Sequence, residues 1–130
     1  MSATANRSFQ TEIDFELPKG YLADDGTLHR HGTMRLATAA DEILPLRDPR
    51  VQQNEAYLAV IVLARVIVRL GTLTDISTGV IEGLYASDLA YLQRLYEHFN
   101  GADDSDDEAS GRHKSNGASA LGRMTTLGEA

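Results

Sequence analysis

Apolar and polar residues alternate strictly along "TEIDFEL", with Ile13, Phe15 and Leu17 on one side and Glu12, Asp14 and Glu16 on the other. A period of two is that of a half-buried strand. "ADDGT" supplies an Asp-Gly turn in which Gly26 is free to take positive φ. "TLHRHGTMRL" then returns, with Leu28, Met34 and Leu36 on one face and His29, His31, Thr33 and Arg35 on the other. The pattern predicts a β-hairpin over 11–37. "LPKG" interrupts its first arm, so that strand bends there or ends and restarts. Gly32 falls on the apolar face, where it marks a bulge or the close approach of another element.

From 38 to 100 the period becomes helical. Thr38 caps a short helix, with Asp41 three residues on as a capping-box acid and Ile43, Leu44 and Leu46 as its apolar contacts. "RDPR" around Pro49 breaks that helix. A long helix follows from about Gln53 to Leu70, with Gly71 as its C-cap. "TLTD" restarts the chain, with Thr72 or Thr74 capping a helix that runs to about Tyr85. Ser87 caps a last helix from Asp88 to about Phe99, whose stripe of Leu89, Leu92, Leu95, Tyr96 and Phe99 keeps a 3.6-residue period. The expected fold class is α+β, a hairpin packed on a bundle of three to four α-helices.

Two flanks differ. Residues 1–10 are polar and read as a flexible N-terminus without the apolar core of a secretion signal. Residues 101–130 are rich in Gly, Ala, Ser and charge, include the acidic run "DDSDDE", and read as a disordered tail. Within it Leu121, Met124 and Leu127 recur every third residue, either as a segment that folds briefly on a partner or as an apolar coincidence.

The long helix is apolar nearly all round, and a helix of that kind must be surrounded. It nevertheless carries Arg65 and Arg69, which share one stripe of a helical wheel with Asn54, Leu58, Ile61 and Val62. A membrane span does not explain it, because the run from Ala56 to Leu70 is too short and each mid-span Arg costs about 2.5–3.5 kcal/mol. Two compatible explanations remain. The arginines pair internally, with Asp75, Glu82 or Asp88 as acceptors, or their stripe edges a protein-binding surface, where Arg is enriched. The second predicts contacts through Leu58, Ile61, Val62, Arg65 and Arg69, joined by Leu92 and Tyr96 of the last helix. It also predicts that charge reversal of both arginines weakens binding while leaving the monomer folded.

Composition removes several function classes. A net charge of −7 opposes nucleic acid as a partner, since phosphate binding needs a basic surface. With no Cys there are neither disulfides nor thiolate metal sites. His29 and His31 share a strand face, but no third ligand has a matching spacing, and exposed polar alternation explains them. "DDSDDE" lacks the central Gly and spaced Glu of a calcium loop. His98 lies where it favours the helix dipole. Neither a nucleophile elbow nor a phosphate-cradling loop is present. The expectation is a cytoplasmic, non-enzymatic binding protein without cofactor, metal or membrane insertion.

"FELPKGYLADDGTLHRHGTMRLATAADEI", "LARVIVRLGTLTDI" and "ASDLAYLQRLYEHFN", in that order over residues 12–100, resemble the phage tail assembly protein family. These are the tail assembly chaperones of contractile-tailed phages, with relatives in contractile injection systems. The resemblance implies a small helper that keeps a long, apolar tape-measure protein soluble until the tail tube forms around it; the hydrophobic surface itself also allows self-association into a homo-oligomer. The runner-up expectation is an adaptor of baseplate or tube that stays in the finished particle. The tail beyond residue 100 lies outside the resemblance.

Overall fold

The computed structural model describes residues 9–101. Almost all of the expected flexible N-terminus and acidic tail therefore lies outside the described residues. The fold is α+β: an N-terminal antiparallel sheet of three strands and five α-helices. Strand β1 (Glu12–Leu22) pairs with β2 (Leu28–Arg35), and Gly26 takes φ 90° in the turn between them. Phe15, Leu17 and Met34 go into the core while Glu12, Asp14 and Glu16 face solvent, as the alternation requires.

At "LPKG" the strand does not stop. Glu16 pairs with His31 and Tyr21 with His29, so the residues from Leu17 to Gly20 bulge opposite Arg30 alone. Pro18 has no N–H to give the ladder, and Gly20 adopts φ 105°, the left-handed region that a glycine enters at least cost. The bulge leaves the N–H groups of Lys19 and Gly20 without strand partners. Both donate to the buried carboxylate of Asp88, at 3.0 and 2.7 Å.

The main departure from expectation lies at the end of the long helix. That helix, α3 (Tyr57–Val66), stops four residues early, and Ile67–Leu70 forms a third strand, β3, antiparallel to β2. Continuous apolar runs suit a buried strand as well as a buried helix. Here the β-branched series Val66, Ile67, Val68 lies beside the open edge of β2, and pairing with that edge outweighs helix propensity. Gly71 is accordingly a turn residue and not a helix cap. It has φ 61°, its N–H donates to the His31 carbonyl at 2.6 Å, and Leu70 pairs with Leu73 across the turn. The element approaching Gly32 is β3: a Cβ on Gly32 would stand 2.6 Å from the Arg69 carbonyl oxygen and 2.5 Å from Phe15 Cζ.

Before α3 the chain makes three short segments: α1 (Ala39–Ile43), a 3₁₀ turn (Leu44–Arg47) and α2 (Pro49–Gln53). Asp48 caps α2, with its carboxylate accepting from the Arg50 N–H at 2.8 Å. After β3, α4 (Thr78–Glu82) is capped by Ser77 and not by Thr72 or Thr74, because the stretch after Gly71 is used in turning away from the sheet. The last helix, α5 (Ala86–Asn100), begins two residues before Asp88. Ser87 is thus inside it and bonds Lys19 Nζ instead of capping. Leu92 and Tyr96 are buried, with Leu89, Leu95 and Phe99 packed partly against the same core.

His29 was expected in solvent and is buried. The Gly71 turn folds over it, and Tyr21 stacks on it with ring centroids 6.4 Å apart. His31 stays exposed.

Candidate protein-binding surface

The arginine question resolves around Asp41. Its carboxylate is buried and accepts from the Thr38 N–H (2.7 Å) and hydroxyl (3.1 Å), closing the acid half of the predicted capping box. It also receives a bidentate pair from Arg35, at 2.8 and 3.1 Å, and the Arg65 Nε–H at 2.9 Å. Arg35 gives further bonds to the carbonyls of Leu36 and Arg65, both at 3.0 Å. The Arg65 carbonyl belongs to the last turn of α3, where helix carbonyls lack intrahelical partners. One guanidinium thereby ties the end of β2 to α1 and α3. Hydrogen bonding from Arg35 is the main reason the Asp41 carboxyl sits well below the usual carboxylate range. Burial opposes this, and Thr38 and Arg65 reinforce it.

Arg65 and Arg69 do not share a helical stripe. Arg65 ends α3, whereas Arg69 lies on β3, where its guanidinium donates to the Thr33 hydroxyl (3.0 Å) and the Gly71 carbonyl (3.2 Å). The Thr33 hydroxyl in turn donates to Asp14 at 3.0 Å, linking all three strands across the polar face of the sheet. Neither arginine pairs with Asp75, Glu82 or Asp88. Asp88 holds the bulge, and Glu82 accepts a short hydrogen bond from the Tyr57 hydroxyl.

The apolar residues expected to contact a partner are core residues. Leu58, Ile61, Val62, Leu92 and Tyr96 are all buried in one cluster, and a partner cannot touch them without opening the fold. The Tyr96 hydroxyl donates to Glu42, and its ionisation is pushed upward by burial first and by that hydrogen bond second. Of the seven residues, only Arg65 and Arg69 keep appreciable solvent contact.

What does face solvent is the segment those residues anchor. Ile43, Leu44 and Leu46 are 56%, 45% and 46% exposed, although they were expected to pack inward. They sit on α1 and the following 3₁₀ turn, where residues three apart eclipse, so Ile43 and Leu46 share one side and Leu44 is turned about 120° from it. The segment is fastened from beneath by Asp41 in the arginine clamp, by Glu42 on Tyr96, by buried Pro45, and by Gln52 Nε2 donating to the Leu46 carbonyl at 2.9 Å. Neighbouring α2 is held by Arg50, which chelates Asp48 (3.0 and 2.9 Å) and lies 5.0 Å over the Tyr57 ring. The Arg50 guanidinium lowers the Asp48 pKa to about 2.

A held backbone that presents large aliphatic side chains to water is a candidate binding surface. The sequence carried a signal for it. Pro45 and Pro49 cut the segment too short for any stripe to turn Ile43, Leu44 and Leu46 inward together.

Phe9, just before β1, is the most exposed large hydrophobic among the described residues, at 67%. Leu22 and Leu28 pair at the hairpin tip, at the far end of β2 from α1, and Tyr85 precedes α5. Among the described residues no three His, Asp or Glu side chains group as metal ligands, and no helix is long and apolar enough to cross a membrane. No protein-family model matches the chain, and no curated protein or solved structure is significantly similar to it.

Proposed function

We propose that this protein is a non-enzymatic assembly chaperone of the phage-tail type, which binds an apolar helical stretch of a tape-measure-like client and keeps it soluble during tail or injection-system assembly. The observation that carries the reading is the exposure of Ile43, Leu44 and Leu46 on a segment clamped at Asp41 and Glu42. An amphipathic helix docks by placing its apolar face against such a surface. The chain's net charge of −7 would oppose aggregation of a complex of this kind. The ordered motifs of the hairpin, the "LARVIVRLG" segment and the last helix give the resemblance that names the client class.

The test is co-expression with the long helical protein encoded beside it, comparing wild type with the triple variant Ile43→Ser, Leu44→Ser, Leu46→Ser. Because all three side chains are exposed, the variant folds with little change in stability. The expected outcome is a client that is soluble with wild type and falls into the pellet with the variant. A client equally soluble with both places the contact elsewhere. A client whose solubility is indifferent to this protein removes the chaperone reading.

A further inference from the structure

We infer that the outer edge of β1 at Asp14 and Glu16 takes an extended segment of another protein as a fourth strand, one in which basic residues alternate with apolar ones. The hydrogen-bond parity of the hairpin shows which groups are free. The Leu36 N–H donates to the Thr11 carbonyl at 2.8 Å, and the register sets Glu12 opposite Arg35, Asp14 opposite Thr33 and Glu16 opposite His31. In an antiparallel pair, residues that exchange backbone bonds alternate with residues that do not. Thr11, Ile13 and Phe15 therefore bond β2, and the N–H and C=O of Asp14 and Glu16 point outward from the sheet. Among the described residues no hydrogen bond reaches those outward groups.

Elsewhere the fold closes its strand edges. At the far side of the sheet β3 is four residues long, and Leu70 exchanges both of its backbone bonds with Leu73, each at 2.9 Å. On β1 itself the Glu12 carbonyl accepts from Gln10 Nε2 at 2.8 Å, and in the bulge beyond Glu16 Pro18 has no N–H. Helix α5 binds that bulge through Asp88, and its Leu92 and Tyr96 lie with Phe15 and Leu17 on the core side. The open stretch at Asp14 and Glu16 is thus short and bounded at both ends.

Charge selects the occupant. Glu12, Asp14 and Glu16 are exposed on one face of β1. Arg35 stands opposite Glu12 but gives its guanidinium to Asp41. Asp14 accepts only the uncharged Thr33 hydroxyl, and Glu16 has exposed partners, Arg30 at 3.3 Å and His31 at 3.7 Å. A second copy pairing antiparallel here would set carboxylate against carboxylate, which is destabilising. Residues directly opposite one another share a face, so basic side chains across from Asp14 and Glu16 form favourable pairs. The residue between them points to the core side, beside Ile13, which is only half-buried, and an apolar side chain there extends the core. Main-chain bonds supply the affinity of such strand addition and alternate side chains its specificity. This edge does not depend on the chaperone reading.

The test uses the full chain and a blocked peptide in which Lys alternates with Val, with amide hydrogen exchange followed by NMR. Saturating peptide should slow exchange at Asp14 and Glu16 by about tenfold or more, while Val68 on the opposite edge is unchanged. The Lys N–H groups of the bound peptide face β1 and the Val N–H groups face away. N-methylation of the Lys amides should therefore abolish the protection, and N-methylation of the Val amides should leave it. A peptide with Glu in place of Lys should bind about tenfold more weakly or worse. The variant Glu12→Lys with Glu16→Lys folds, because both side chains are exposed and surface ion pairs contribute little, and it should lose the preference for Lys over Glu. Absence of binding overturns the proposal, as does binding without protection of Asp14 and Glu16. Binding that survives methylation of the Lys amides is electrostatic attraction alone and also overturns it. Protection of both amides in the protein without peptide, lost on dilution, assigns the edge to a second copy and contradicts the proposal.

Discussion

Replacing Asp41 with Ala removes the one carboxylate on which Arg35, Arg65 and the start of α1 converge. Hydrogen bonds to a charged group contribute about 1.5–3 kcal/mol each, and a lost helix cap about 1 kcal/mol. The full sum does not apply, because the side chains of Arg35 and Arg65 are 33% and 38% exposed and regain water when Asp41 is gone. We expect a loss of about 3 kcal/mol, between the cost of a cap alone and that of stranding a fully buried charge. Urea unfolding followed by far-UV circular dichroism measures it. With m near 1–1.5 kcal/mol/M, the midpoint falls by about 2–3 M.

Arg35→Ala should cost more than Arg65→Ala, because Arg35 also satisfies the Leu36 and Arg65 carbonyls. The pH dependence follows from the sign of the shift. Asp41 is held below its ordinary value by Arg35, so its contribution is fully present above the unfolded-state pKa of about 3.9 and is lost as pH falls through the folded-state value. The gap between wild type and Asp41→Ala is therefore constant from about pH 5 to 8 and narrows below about pH 4. A loss under about 1 kcal/mol, or equal costs for the two arginines, refutes the clamp.

Other expectations follow from the same contacts. Asp88→Ala strands the Lys19 and Gly20 N–H groups in the bulge and should cost about 2–3 kcal/mol by the same unfolding assay. Gly71→Ala combines φ 61° with a Cβ placed 2.1 Å from His29 Nδ1, and should destabilise by about 2 kcal/mol or more, read as a lowered Tm. Reversing both Arg65 and Arg69 to Glu should unfold the protein rather than selectively weaken binding, since the first change sets a second carboxylate against Asp41; circular dichroism decides it.

Those arginines mark where sequence reading succeeds and where it fails. The alternation of β1, the Asp-Gly turn, the Thr38–Asp41 box and the stripe of α5 were legible because each is a local pattern with one physical meaning. "LARVIVRLG" has two. A run apolar on every side suits a surrounded helix or a buried strand, and only the β-branched Val66, Ile67 and Val68 favoured the strand. The choice is made by the edge of β2, more than 30 residues away in sequence, as is the Arg35–Asp41–Arg65 clamp in part. Placing α3 too long put Arg65 and Arg69 on one stripe and their apolar neighbours at a surface. Ile43, Leu44 and Leu46 were expected inward as apolar contacts of the Thr38-capped helix, though the two prolines around them limit that segment to short turns.

The chaperone reading predicts departure. The measurement that tests it most directly is quantitative mass spectrometry of this protein in two purified samples: the complex with its long helical client, and the finished particle. The account predicts a fixed stoichiometry in the complex and none in the particle. Retention in particles at a fixed copy number would contradict it and make the protein a structural adaptor of the machine.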